Sequence, residues 1–439
     1  MFGGKREASP WATFFITSIF CIASLVVSVS GLAAEADSRL VRVLTGRNET
    51  IRLRAIAELE NAPVLKRQSL DDLVAAITAQ VADTDATELA RPSTSRLINL
   101  IGTVDSPESE TLLIELLDAS HTGIAMLSAD VLGKNKFYGA IEFLKKQIDR
   151  PEYASSYGFR FNLLRAIARM EHPDAIEFLT SLQGSLDGQL RFQIDEILKG
   201  VEVGHFHGDE ERFADWKTTM SQGKVAPKKT DDKTVPFSNP QDKVVFKTVS
   251  DPESLQRVQL GRAHQYYGID IHAKRLMFII DHSGSMKNYW RGMSRLEVAK
   301  KELIKAIQEL PPDSEFAILF YHSKVNQWRN KLSLADEKNK LEAIAFVRKL
   351  SYGCDTNTYG ALRTALEFDD NLEAVYLLTD GRPTAGRIIS PVGIVNDILH
   401  RNQFRHLNFN TIGIALAPTT EAFLRRLADE SAGEFRAAE

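Results

Sequence analysis

The sequence predicts two fold classes in one chain: an all-α helical-repeat region in the first half, and an α/β doubly wound domain with a mostly parallel, Rossmann-like sheet at the C-terminus. Three observations carry this. From about residue 38 to 203, apolar residues recur at three- and four-residue spacing, as in IRLRAIAELENA, TLLIELLDA and FNLLRAIARM. Beyond residue 273 the pattern changes to continuous apolar runs of strand length that alternate with helical segments. Two of those runs, 275–280 and 374–379, lead straight into aspartates, Asp281 and Asp380.

Residues 1–36 read as a signal peptide or signal anchor. Lys5 and Arg6 precede an apolar run at 13–32, and Ala34-Glu35-Ala36 fits a small-x-small cleavage site. The run approaches the length needed to span a bilayer, so anchoring by 13–32 stays open beside cleavage. Both readings put the rest of the chain outside the cytoplasm (periplasmic, secreted or membrane-anchored) because the positive flank stays inside. The two cysteines, Cys21 and Cys354, allow no disulfide framework in the mature chain. The 54 basic and 58 acidic side chains give a net charge of -4, which argues against a general nucleic-acid binder.

Residues 37–203 carry an internal repeat. Ala140-Ile141-Glu142-Phe143-Leu144 returns as Ala175-Ile176-Glu177-Phe178-Leu179, a shift of 35 residues. Short helices at such a period cannot bury their apolar faces alone and must stack. The segment resembles degenerate HEAT-type repeats, which implies a surface for another macromolecule. Residues 204–272 lose the periodicity and fill with Lys, Asp, Thr, Pro and Gly, as a linker does.

Residues 273–439 supply the second domain. Buried strands are expected at 275–280, 315–321, 374–379 and 407–414, an edge strand at 324–328 and a last short strand near 434–435. Helices are expected at 295–310, 334–350, 359–368 and 419–431. In a sheet ordered 3-2-1-4-5-6, strands 1 and 4 are neighbours at the point where the winding reverses, and ligands bind there beyond the carboxyl ends. Asp281 and Asp380 end those two strands. Asp281-His282-Ser283-Gly284-Ser285, Gly353-Cys354-Asp355-Thr356-Asn357-Thr358 and Thr379-Asp380-Gly381 therefore converge, with two carboxylates and three hydroxyls. Hard oxygen donors suit Mg²⁺ or Mn²⁺ rather than zinc.

The D-x-S-G-S loop, the threonine loop and the T-D-G strand end resemble the metal-ion-dependent adhesion site of the von Willebrand factor type A family. The resemblance implies that Ser283 and Ser285 ligate the cation and that Thr356 does so directly or through water. It implies that Asp281 and Asp380 act mostly through water. It further implies an open position for a Glu or Asp from a protein partner. The threonine loop reads G-C-D-T where the family often reads G-G-T, which leaves Thr358 as an alternative to Thr356 and lets Asp355 tune the site. His282, Tyr289, Trp290 and Asp355 are expected on the partner-binding rim.

The chain is thus expected to be a binding or adhesion module and not an enzyme. Two alternatives stay open: a metal-dependent phosphohydrolase, and a helical scaffold whose metal site is vestigial. The phosphohydrolase reading lacks the second aspartate two residues after the first, since Ser283 stands there.

Overall fold

The computed structural model describes residues 38–84, 91–206 and 264–438. The predicted signal at 1–36, its apolar run at 13–32 and most of the 204–272 linker lie outside the described residues. Among the described residues no helix is long and apolar enough to cross a membrane. The chain divides into two compact units, Met1–Asn135 and Lys136–Glu439.

The first unit is helical. Its helices include Glu49–Glu60, Leu70–Ala82, Pro92–Gly102, Pro107–Leu116 and Thr122–Asn135. Proline occupies the first position of Pro92–Gly102 and Pro107–Leu116, where its missing N–H removes no helical bond. Ile56, Leu73, Leu97, Leu113 and Leu132 fill the interior. Gln80 is buried among them. It donates to the Leu44 carbonyl at 2.7 Å and accepts from Thr94 Oγ1 at 2.6 Å, so its amide is satisfied inside the core.

The second unit begins with the two copies of the repeated pentapeptide. Ala140, Ile141 and Leu144 are buried in the first copy, and Ala175, Ile176 and Leu179 in the second. Each copy follows a residue of positive φ, Lys136 at 56° and Glu171 at 48°, again 35 positions apart. The Lys136 ammonium pairs with the Glu171 carboxylate. The repeat therefore extends to backbone conformation and burial.

The sheet lies in the same unit. Its strands are β1 (Arg275–Asp281), β2 (Glu315–Tyr321), β3 (Val325–Gln327), β4 (Ser333–Leu334), β5 (Ala374–Thr379), β6 (Asn408–Gly413) and β7 (Phe435–Ala437). The order is β7-β6-β5-β1-β2-β3, with β4 also pairing with β2. β1, β2, β5, β6 and β7 run parallel, and β3 and β4 pair antiparallel with β2. This is the order the sequence predicts, with β1 beside β5. The short β4 was not foreseen, because its two residues sit at the edge of a helical pattern. Every residue of β5 and β6 is buried between the two helical layers, the apolar run of β5 and also Asn408, Asn410 and Thr411 of β6. One face of the sheet packs under Arg295–Glu309 and Glu337–Arg348, around Phe278, Leu303 and Val347. The other packs under Thr358–Leu366, Pro391–Asn402 and Pro418–Glu430, around Ile279, Leu362 and Leu424.

The helices from 157 to 206 join this domain at the amino ends of its strands. Tyr157 N donates to the Asp370 carbonyl at 2.9 Å, and Gln193 Nε2 donates to Asn408 Oδ1 at 2.9 Å. A Cβ at Gly158 would stand 2.1 Å from the Phe404 carbonyl oxygen, so the close approach needs glycine there. The compact division consequently falls inside the stretch 37–203 that the sequence assigns to one helical domain. Buried polar bonds between residues about two hundred positions apart leave no periodic trace in the sequence. Gly158→Val is expected to unseat this docking and to lower the midpoint of urea unfolding, whereas a variant that unfolds as the wild type does would refute the contact.

Candidate metal centre

Parallel pairing sets the first step of the site. Ile280 stands opposite Leu378 in the β1–β5 register, so both strands end together and Asp281 emerges beside Thr379 and Asp380. The chain then turns into one 3₁₀ turn, Gly284–Lys287. Asp281 is fully buried. Its Oδ1 accepts from Ser283 N at 2.8 Å and its Oδ2 from Thr379 Oγ1 at 2.6 Å. Ser283 Oγ lies 3.2 Å from Ser285 Oγ, and Ser285 Oγ donates to Asp380 Oδ1 at 2.7 Å. Asp281, Ser283, Ser285 and Asp380 thus form one hydrogen-bonded string at the carboxyl ends of two adjacent strands, joined at Asp281 through the Ser283 backbone N–H and beyond it through side-chain oxygens.

The threonine loop is tied to the first loop by backbone bonds. Gly284 N donates to the Cys354 carbonyl at 2.8 Å and Gly353 N to the His282 carbonyl at 2.6 Å. A Cβ at Gly353 would meet the His322 ring at 2.4 Å, so only glycine lets the loops close. Gly353→Ala is expected to cost about 1–3 kcal/mol through the forced shift, read by chemical denaturation; an unchanged midpoint would contradict the packing.

Thr356 and Thr358 take different surroundings. Thr358 is fully buried at the start of Thr358–Leu366, with Oγ1 3.5 Å from the Tyr321 hydroxyl. Thr356 is bonded through its backbone, its N–H to Thr384 Oγ1 at 2.9 Å and its carbonyl from Thr384 N at 3.0 Å. Asn357 caps the helix between them by accepting from Gly360 N at 2.9 Å.

Burial shapes the electrostatics. Desolvation pushes the Asp281 carboxyl up to about 6, opposed by the donors Thr379 and Ser283 and assisted by the neighbouring Asp380 charge. Asp380 carries an ion pair in addition to its serine: Arg295 Nη1 lies 2.7 Å from Oδ2. No group of three or more His, Cys, Asp or Glu side chains able to hold a metal occurs among the described residues. The donor set here is two carboxylates with hydroxyls, all oxygen, and that chemistry fits a hard divalent cation.

The rim differs from expectation in two places. His282 is only 6% exposed rather than on the surface. Its Nδ1 meets the Ser351 carbonyl at 2.6 Å and its ring packs edge-on against His322, because alternation along the extended loop turns it away from Ser283. Burial also holds its imidazole below the usual range. Trp290 is half-buried against the core under Arg295–Glu309, with the Arg291 guanidinium 4.8 Å from its ring. Tyr289 is 82% exposed, and Asp355 is exposed with Oδ2 accepting from Ser323 Oγ at 2.7 Å. Two residues that sequence reasoning gave no role at the site complete the arrangement, Thr379 and Arg295. Thr379 directly precedes Asp380, so its position was visible; Arg295 gave no signal, since an arginine at a helix start is ordinarily a solvated side chain.

A family model described as von Willebrand factor type A domain matches residues 276–382, a span that holds β1 from Leu276 on, the serine loop, the threonine loop and Asp380. Residues 276–382 are a von Willebrand factor type A domain. The chain is similar to von Willebrand factor A domain-containing protein 3B of Homo sapiens. The two are 31% identical over 167 residues, which is 38% of this chain and 12% of that protein. Similarity to inter alpha-trypsin inhibitor, heavy chain 4 of Mus musculus is 28% over 137 residues, 29% of this chain and 14% of that protein. The chain therefore spans less than a fifth of the length of these curated relatives. Among solved structures, a von Willebrand factor type A protein from Catenulispora acidiphila is 21% identical, with a TM-score of 0.33 over 39% of this chain and 40% of that one.

Proposed function

We propose that the type A domain is an extracytoplasmic binding module that captures an acidic side chain of a protein partner through a bound Mg²⁺ or Mn²⁺. The observation that carries this reading is the hydrogen-bonded string Asp281–Ser283–Ser285–Asp380 at the switch point of the sheet, which gathers two carboxylates and two hydroxyls. Ser283 and Ser285 would hold the cation with neutral hydroxyls, Thr356 would add a third, and Asp281 and Asp380 would act directly or through water. The cation, when bound, supplies a Lewis-acidic position for an external Glu or Asp carboxylate. Thr379 keeps Asp281 aimed at the site, and Tyr289, exposed four residues beyond Ser285 in the chain, offers a partner an aromatic surface. The extracytoplasmic location rests on Lys5, Arg6 and the apolar run at 13–32.

The phosphohydrolase alternative needs a base beside the cation. His282, the imidazole within the loop, is buried and committed to the Ser351 carbonyl, which favours binding over hydrolysis.

Thermal unfolding with Mg²⁺ or Mn²⁺ and with chelator tests the metal. Saturation near a hundred times Kd stabilises by about 2.7 kcal/mol, so Tm is expected to rise by several degrees and to fall back with chelator. A Tm indifferent to both cations sinks the proposal. The threonine ligand is separable. Thr356→Val is expected to weaken the cation response with stability changed by less than about 0.5 kcal/mol, because among the described residues its backbone, and not its hydroxyl, makes the bonds to Thr384. Thr358→Val is expected to keep the cation response and to cost about 1–2 kcal/mol, since the buried Tyr321 hydroxyl loses one of its two hydroxyl neighbours. The reverse pattern would assign Thr358.

A further inference from the structure

We propose that Arg295 is the built-in counter-ion of this site, a positioning residue that occupies the outer oxygen of Asp380 and sets how much positive charge a bound cation retains. The inference rests on the metal reading above and deepens it.

Arg295 is the first residue of Arg295–Glu309. A cation at a helix N-terminus faces the positive end of the helix dipole and is disfavoured there, so its place requires a compensating anion. Asp380 supplies one. The pair lies 2.7 Å apart, with the arginine side chain 18% exposed and the carboxylate fully buried. Local geometry brings the guanidinium in. The two-stranded ribbon Tyr289–Trp290 with Met293–Ser294 turns through Arg291 and Gly292, both at positive φ, and Arg295 N closes on the Asn288 carbonyl at 3.0 Å. Ser294 caps the helix through Glu297 N at 3.2 Å and accepts from the Tyr352 hydroxyl at 2.9 Å, which pins the starting point.

The two oxygens of Asp380 are consequently divided: Oδ1 takes the Ser285 hydroxyl and Oδ2 takes Arg295. With Oδ2 engaged, Asp380 cannot chelate a cation with both oxygens. Across Asp281, Asp380 and Arg295 the ionised groups sum to one negative charge rather than two. A divalent cation held there keeps a net positive charge and remains attractive to a partner carboxylate. Arg295 thereby lowers affinity for the cation and raises the cation's affinity for an external anion. Among the described residues the guanidinium Nε is buried without a hydrogen-bond partner.

The test uses the full chain, with Mn²⁺ alone as the calorimetric probe, in the wild type, Arg295→Gln and Arg295→Lys. Arg295→Gln is expected to bind Mn²⁺ about tenfold more tightly, as removal of one positive charge across a partly buried distance implies. Its metal-free Tm is expected to fall and to recover with saturating Mn²⁺. Arg295→Lys, which keeps the charge, is expected to stay near the wild type on both measures. Unchanged or weaker Mn²⁺ binding in Arg295→Gln, with a wild type that binds, overturns the counter-ion role and leaves the metal reading standing. Binding by Arg295→Gln alone supports the counter-ion role and overturns metal capture by the wild type. Absence of Mn²⁺ binding from all three proteins overturns both.

Discussion

Asp281→Asn is expected to erase the cation response while leaving the metal-free fold at least as stable as the wild type at neutral pH. The fully buried Asp281 carboxyl sits at about 6 against an ordinary value of 3.8, with desolvation the main cause. Between those values the folded protein holds a proton that the unfolded chain has lost. Asp281 therefore contributes a decline of about 3 kcal/mol to wild-type stability in the absence of metal as pH rises from about 4 to about 6. Asparagine removes that part of the slope and leaves the part due to Glu373. Its amide still accepts from Ser283 N, and Thr379 Oγ1 retains Gly381 as an alternative neighbour at 3.4 Å. What it cannot supply is the anionic oxygen that the proposed cation needs. Urea unfolding of both proteins across this pH range, with and without Mg²⁺, separates the two effects. A variant that keeps the Mg²⁺-induced shift, or that shows the wild-type pH slope, would disprove the assignment of Asp281.

Glu373→Ala is expected to destabilise the second unit by about 3–5 kcal/mol, the cost of stripping one partner from a buried ion pair. Glu373 lies just before β5 at the amino ends of the strands, and it is fully buried. Its Oε2 accepts from Gln189 N at 2.9 Å and Lys274 N at 3.1 Å, and its Oε1 lies 2.5 Å from the Arg275 guanidinium. Gln189 belongs to Gly188–Phe206, so one carboxylate joins a helix of the N-terminal half to the beginning of β1. Burial pushes this carboxyl up to about 7, with Arg275 and the two N–H groups opposing. The sign follows as for Asp281: stability declines as pH rises from about 4.5 to about 7, since the folded state retains the proton. Glu373→Gln is expected to flatten that decline and to cost less than alanine, because it keeps an acceptor for the N–H groups. Denaturation curves of the three proteins at pH 5 and pH 8 would show this. Equal stability of Glu373→Ala and wild type would mean that Gly188–Phe206 does not depend on this bond.

Much of the α/β domain was legible beforehand, for local reasons. The runs RLMFII, EFAILF and AVYLLT can only be buried strands, and the right-handed crossover rule then limits their order to few choices. That order brings Asp281 beside Asp380. The serine spacing in Asp281-His282-Ser283-Gly284-Ser285 follows from alternation along an extended chain. His282 was misplaced on the rim even so, because alternation gives two sides without saying which is water; the packing of His322 and the Ser351 carbonyl decides it.

By itself, then, the sequence determined the two fold classes, the strand order and the meeting of two carboxylates with serine hydroxyls, since hydrophobic period and chain connectivity encode all three. The tertiary structure alone decided that Arg295 holds the far oxygen of Asp380, and that the helices beyond Lys136 share a compact unit with the type A domain. The deciding bonds join groups far apart in the chain, 85 residues for Arg295 and Asp380 and 184 for Gln189 and Glu373. A polar side chain that meets its partner at such a distance has the same local sequence as one that meets water.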